Sequence, residues 1–270
     1  MRGRRPLKRW RYVGVFSEQV MACAALVQVG PARQSFWAVY RREQDELRQR
    51  TRMRPRNHAM QLHEGFVARA GEDPAAIESG RLRICDGGVV LDVGLTEEAG
   101  IRARLPHGAE EVWTRKQAGI PARGTLAVDT ASAVAISARA VVDDTVGYHA
   151  RHTEWWWTAG IGQGADGRAV AWNLVSGVND PPSGSERAVW IDGRPHEVAP
   201  VSFSSDLRRI FGEDGSELRF HAEAERSHNA DLLIVKSDYR APFGAFSGSL
   251  PGGVALAHGL GVVEHHRAVW

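Results

Sequence analysis

Short runs of alternating apolar and polar residues, broken by glycine turns, dominate this chain. In Leu218–Glu225, Leu218, Phe220, Ala222 and Ala224 face one way, and Arg219, His221, Glu223 and Glu225 face the other. Val134, Ile136, Ala138, Ala140 and Val142 make a second row of period two. Such alternation predicts strands with one face buried and the other wet. Asp231–Ser237 instead holds the continuous run Leu232-Leu233-Ile234-Val235, which predicts a strand covered on both faces. Between the runs stand Asp86-Gly87-Gly88, Asp166-Gly167, Asp192-Gly193, Asp214-Gly215 and Pro251-Gly252-Gly253. Asp-Gly and Gly-Gly supply the positive φ angles that tight hairpins require, so these signals predict an antiparallel meander. Helical pattern is scarce. Glu43–Arg50 has good helix formers but equally continues a strand, Pro74–Glu78 suits one turn, and Gly71–Gly80 reads as a loop.

The expected fold is therefore all-β: an antiparallel meander forming two β-barrels or sandwiches. A boundary near Asp143-Asp144-Thr145-Val146-Gly147 divides it into residues 1–145 and 146–270. Each half has about eight candidate strands, enough to close a small barrel.

Composition narrows the function classes. With 43% apolar and 24% charged residues among 270, the chain is globular rather than disordered. A net charge of +2 is too small to argue for nucleic acid. Positive charge does crowd the N-terminus at Arg2, Arg4, Arg5, Lys8, Arg9 and Arg11. That run reads as a solvated tail, or as an arm suited to peripheral contact with an anionic membrane. Two cysteines, Cys23 and Cys85, make no disulfide framework and are expected to be reduced thiols in a cytoplasmic protein. Val13–Phe16 and Val20–Leu26 imitate a signal peptide, but Ser17-Glu18-Gln19 breaks the apolar run. No run approaches the length of a membrane-crossing helix.

The densest chemistry lies in His152-Thr153-Glu154-Trp155-Trp156-Trp157-Thr158-Ala159-Gly160. In a strand, Trp155 and Trp157 share one face with Thr153, and Trp156 shares the other with Glu154 and Thr158. Bulky groups on both faces predict cover on both, and one cover can be a ligand cavity. His149, His152 and Glu154, with Glu264, His265 and His266, supply acid/base groups. Of His265 and His266, at most one is expected to join Glu264 in one cavity, through a bulge. The spacings match no zinc signature, so no metal is expected. A carboxyl among indoles has its charged form disfavoured by desolvation, so Glu154 is a candidate general acid; accepting hydrogen bonds in the core is its other role.

Gly160-Ile161-Gly162-Gln163-Gly164 follows a strand, but a hairpin turn comes next rather than the helix that a dinucleotide site needs. No cofactor is expected. Asn173 through Pro182 reads as a strand ending in a rigid turn, with Asn173 able to face a ligand. G-x-S-x-G, Walker, H-E-x-x-H and paired C-x-x-C motifs are absent, and Cys23 reads as a buried inert thiol.

Longer segments carry a resemblance. Trp10–Phe16 and Gly30–Val39 resemble a bacterial family catalogued as a domain of unknown function. So do Trp113–Gln117, Val142–Asp144 with Tyr148–His152, and Trp172–Val175 with Gly177–Pro181. Ser237–Gly244 and Gly259–His266 complete the match over nearly the whole chain. Members of that family usually carry a few more residues before Trp10, which implies a short start here. More distantly, Thr153-Glu154-Trp155-Trp156-Trp157 with Gly160 is similar to the Glu-Trp-Trp-Tyr motif of a wider group. That group contains carotenoid 1,2-hydratase (hydroxyneurosporene synthase) and AttH-like proteins. The resemblance implies two lipocalin-like barrels holding a long apolar molecule. Trp157 replaces the aromatic hydroxyl of that motif, and the motif opens the second half of the chain rather than its start. No catalytic residue is carried over.

Three functions stand at this point. The first is binding of a hydrophobic small molecule, a lipid or isoprenoid, in an aromatic cavity lined by His152, Glu154, Trp156, Trp172 and Glu264. The second is acid-dependent hydration or cyclisation of an apolar alkene, with Glu154 or Glu264 as proton donor and indole faces stabilising positive charge. The third is a ligand-free scaffold docking through its basic arm.

Overall fold

A computed structural model describes residues 5–53, 60–62, 80–107, 110–232 and 235–269. Ten strands make the first sheet: β1 (Lys8–Phe16), β2 (Val20–Val29), β3 (Ala32–Arg41), β4 (Glu46–Met53), β5 (Met60–Leu62), β6 (Gly80–Asp86), β7 (Val89–Leu95), β8 (Ile101–His107), β9 (Glu110–Val128) and β10 (Val134–Gly147). Nine make the second: β11 (His152–Gly164), β12 (Ala169–Ser176), β13 (Ala188–Ile191), β14 (Arg194–Glu197), β15 (Val201–Phe203), β16 (Arg209–Gly212), β17 (Glu217–Leu232), β18 (Val235–Leu250) and β19 (Val254–Val269). All pairing is antiparallel, and in each sheet the first strand lies beside the last, β1 on β10 and β11 on β19. No helix occurs among the described residues. Glu46–Met53 is strand, and Pro74–Glu78 lies outside the described residues.

The five glycine turns all join neighbouring antiparallel strands. Asp192 and Gly193 both take positive φ, 48° and 80°, as a two-residue turn matched to strand twist requires. The apolar run at Asp231–Ser237 is not one strand. β17 ends at Leu232, which pairs with Val235 at the start of β18, so the run spans the end of a hairpin; Leu233 and Ile234 lie outside the described residues.

Each sheet curls around its own apolar core. Val13, Leu91, Leu126 and Val142 belong to the first, and Trp172, Leu174, Phe220 and Phe246 to the second. A third apolar layer joins the sheets back to back, with Tyr12, Met21 and Phe36 from one meeting Trp157, Tyr239 and Phe243 from the other. Bulges direct strands between these layers. In β17 the register shifts between Ala222 and Ala224. Leu218 and Phe220 therefore face the second core, whereas Ala224 and Arg226 face the joining layer. An extra residue reverses the alternation, and the period-two row expected through Glu225 stops there. β9 shifts likewise at Gly119, which takes a φ of 78°.

The basic N-terminal run is not a free arm from Lys8 onward. Lys8, Arg9 and Arg11 sit in β1, and Lys8 and Arg11 are buried. Arg11 Nη1 donates to both oxygens of Asp144 at 2.9 and 3.0 Å, and its Nη2 donates to Glu97. Arg115 donates to Asp144 at 2.5 and 3.0 Å and to Glu97 at 3.2 Å. Two guanidinium groups and two carboxylates thus balance in the interior. Asp143 and Asp144 are strand residues of β10, and the chain passes between the sheets at residues 148–151.

The glycine run in β11 serves packing. A Cβ on Gly160 would strike the Trp172 ring and approach the Leu260 carbonyl oxygen to 2.6 Å. Overpacking of this kind typically destabilises by about 1–3 kcal/mol, so Gly160→Ala is expected to lower the urea midpoint with the m-value unchanged.

Candidate functional site

The parity of the tryptophan strand decides the site. β11 pairs with β19 so that Trp155 lies opposite His266 and Trp157 opposite Glu264. These four face a cavity of about 200 Å³ in the layer between the sheets. Trp156 and Glu154 take the other face, with Trp156 stacked on His265 at 4.8 Å. Six large aromatic side chains line the cavity: Trp10, Tyr12 and Phe36 from the first sheet, and Trp155, Trp157 and Tyr239 from the second. Trp157 meets Tyr12 edge to face at 5.3 Å, and its N–H donates to Asn173 Oδ1 at 2.8 Å. Asn173 thus anchors an indole rather than lining the space.

Glu264 is the carboxyl of this face. It is 7% exposed and accepts the Trp155 N–H at 2.8 Å, a diagonal cross-strand contact. Burial pushes its pKa up to about 7, against the pull of Tyr239, Trp155 and Arg226. The Tyr239 hydroxyl lies near enough to favour the charged carboxylate but outside hydrogen-bonding geometry. His266 shares the face by simple alternation, two residues from Glu264, and needs no bulge. Its Nε2 lies 2.8 Å from Ser237 Oγ, and burial lowers its pKa to about 3, so the ring is neutral.

A second polar group occupies the cavity wall from the first sheet. Lys116 Nζ reaches Asp143 Oδ1 at 2.5 Å and Glu186 Oε1 at 3.4 Å. Burial lowers its pKa, but the two carboxylates outweigh burial and raise it above the usual lysine value. Trp10 Nε1 donates to Asp143 at 3.3 Å, and Asn179 Nδ2 to Glu186 at 3.4 Å. Beside them His149 is 3% exposed, packed on Trp10 and His107 at ring distances of 5.0 and 5.2 Å. Burial holds its pKa well below the usual histidine value.

Of the residues expected to line a cavity, Glu264 alone does so. His152 is exposed at the start of β11. Trp172 is fully buried in the second core, donating its N–H to Thr158 Oγ1 at 3.2 Å. Trp156 packs against the same core. Glu154 accepts from Arg267 at 2.8 Å and lies 2.9 Å from His265 Nε2 on the face turned away from the cavity. Arg267 and then His265 hold its carboxyl below the usual range, which is the reverse of a proton donor near neutrality. Glu154→Gln is accordingly expected to change stability by at most about 1 kcal/mol, as for exposed ion pairs, and to leave ligand binding by the cavity unchanged in titration.

Tyr12, Lys116, Asp143, Glu186, Arg226 and Tyr239 escaped the sequence reading. The one available signal was Asp143, an ionisable residue directly after the apolar run Ala140-Val141-Val142.

Comparisons with known proteins agree with this architecture. Residues 89–270 match the profile of a family described as a domain of unknown function, DUF2804. No curated protein matches the chain. Among solved structures, an AttH protein from Nitrosomonas europaea is 12% identical with a TM-score of 0.55, over 98% of this chain and 93% of that one. Kievitone hydratase from Nectria haematococca is 11% identical with a TM-score of 0.57, over 97% and 88%. CghA with Sch210972 is 9% identical with a TM-score of 0.51, over 98% and 88%. At these identities the likeness shows a shared all-β, lipocalin-like fold.

Proposed function

The chain belongs to the DUF2804 family, and from the cavity's geometry we propose that it is an enzyme that binds a small, largely apolar molecule and protonates it from Glu264. The observation that carries this reading is the Glu264 carboxyl, buried in an aromatic cavity between Trp155, Tyr239 and His266. An acid whose pKa lies near the working pH is suited to proton transfer. The reaction class that fits is addition of water to a carbon–carbon double bond. Glu264 gives its proton to one alkene carbon, whose π electrons form the new C–H bond. The faces of Trp155 and Trp157 stabilise the positive charge left on the neighbouring carbon. Water adds there, and its surplus proton returns to the Glu264 carboxylate. A hydratase among the proteins of similar fold supports the same class.

Binding without turnover is the second reading, favoured by the aromatic walls themselves. Incubation with a panel of alkenes in D2O separates the two. An enzyme produces a product heavier by one D2O, and Glu264→Gln keeps the binding while losing the product. Binding with no deuterated product from any alkene, by the unmodified protein, establishes the second reading instead.

A further inference from the structure

The cavity wall is rich in unpaired polarity. Among the described residues, eight buried side-chain nitrogen or oxygen atoms lack a hydrogen-bond partner. Five of these belong to four cavity-lining residues: Tyr12 Oη, Tyr239 Oη, Arg226 Nε and both ring nitrogens of His149. Such atoms are normally satisfied in a folded protein, so their concentration here singles out the cavity.

Arg226 is the most telling. It is 2% exposed, and its guanidinium lies 3.8 Å from the Phe36 centroid and 4.8 Å from that of Tyr239. Its hydrogen bond is to a neutral group, Thr51 Oγ1, at 2.8 Å. No carboxylate pairs with it among the described residues, whereas Arg11 and Arg115, buried in the first sheet, bond Glu97 and Asp144, and Arg187, buried in the second, bonds the carbonyls of Pro181 and Val198. A buried cation is ordinarily paired. Tyr12 and Tyr239 add two hydroxyl donors to the same wall.

We infer that the cavity's ligand carries an oxygen acid or a strong oxygen acceptor on its ring body (a carboxylate, phenol or enol), which Arg226, Tyr12 and Tyr239 recognise. This rests on the reading of the cavity as a ligand site. A pure hydrocarbon leaves the guanidinium with no directly paired anion, and it leaves the hydroxyls of Tyr12 and Tyr239 with no neighbours of this kind beyond Cys23 and Glu264. An oxygen function on a flat ring system satisfies them while its body lies against Trp155 and Trp157. The ligand class is thereby moved from plain lipid or isoprenoid to oxygenated ring compounds.

Three probes sharing one ring body test this by titration calorimetry: naphthalene, 2-naphthol and 2-naphthoate. Both oxygenated probes are expected to bind at least about tenfold tighter than naphthalene, the order of discrimination seen when buried polar groups are left unpaired. Arg226→Gln should abolish the advantage of 2-naphthoate. Tyr239→Phe guards against misfolding as the cause: it should keep or raise the Tm of the free protein, yet reduce the preference for 2-naphthol. Naphthalene binding as tightly as its partners overturns the inference and leaves the cavity reading intact. Binding of none of the three overturns both.

Discussion

Replacing Arg115 with methionine is expected to lower the unfolding free energy by about 3–5 kcal/mol, the usual effect of breaking a buried ion pair by removing one partner. Arg115 and Arg11 balance Glu97 and Asp144 in the interior of the first sheet, and the side chains of both carboxylates are fully buried. Without Arg115 the group carries one negative charge in excess, and Glu97 keeps only Arg11 and Gln117 as partners. Burial already pushes the pKa of Asp144 up against the pull of Arg11 and Arg115, so loss of one cation pushes it further. Adding Glu97→Gln restores neutrality, with Arg11 left on Asp144, and should recover part of the loss. The double-mutant cycle then measures the coupling directly. Urea titrations of the four proteins supply the values, with Arg267→Met as an exposed control expected to change stability by at most about 1 kcal/mol. A loss at Arg115 no larger than the control's would show that the four charges do not act as a unit.

The strands and their turns were legible because their signals are local. Asp86-Gly87-Gly88 and Asp192-Gly193 state their geometry in two or three residues, and period-two rows such as Ile136–Val142 need only their own alternation. What the pattern does not carry is a change of partner layer within one strand. β17 and β9 each run past a bulge from a sheet's own core into the joining layer, so Arg226 and Lys116 enter the cavity from positions that uninterrupted alternation would place elsewhere.

The tryptophan strand shows the same limit from the other side. Alternation paired Trp155 with Trp157 and Trp156 with Glu154, and both pairs hold. Which pair meets the cavity depends on how the second sheet packs against the first, through residues such as Tyr12 and Phe36 more than a hundred positions away. Glu154 drew attention by its neighbours in sequence. Glu264 meets the cavity in its place because the register sets it opposite Trp157 and under the N–H of Trp155.

Glu264→Gln is expected to stabilise the protein at neutral pH while removing its chemistry. The folded carboxyl keeps its proton up to about pH 7, whereas the unfolded one loses it near 4.5. Between those values the native state binds more protons than the unfolded state, so stability falls as pH rises. The displacement corresponds to about 3 kcal/mol, fully present as a penalty above pH 7 and absent below about 4.5. His266 works in the opposite sense: neutral when folded and charged when unfolded, it makes stability rise with pH below its usual value of 6.5. The difference between the two proteins, rather than either curve alone, therefore isolates Glu264. Urea unfolding at pH 4 and pH 8 should show near-equal stabilities at the lower pH and a more stable Glu264→Gln at the higher. Turnover of a deuterated hydration product should fall by about 10²–10⁴-fold, the usual contribution of a general acid. A buried carboxyl kept at a cost to stability is what a proton donor requires. A Glu264→Gln protein that is destabilised at pH 8 would assign Glu264 to holding Trp155 in place, and the proton donor would have to be sought among Asp143 and Glu186.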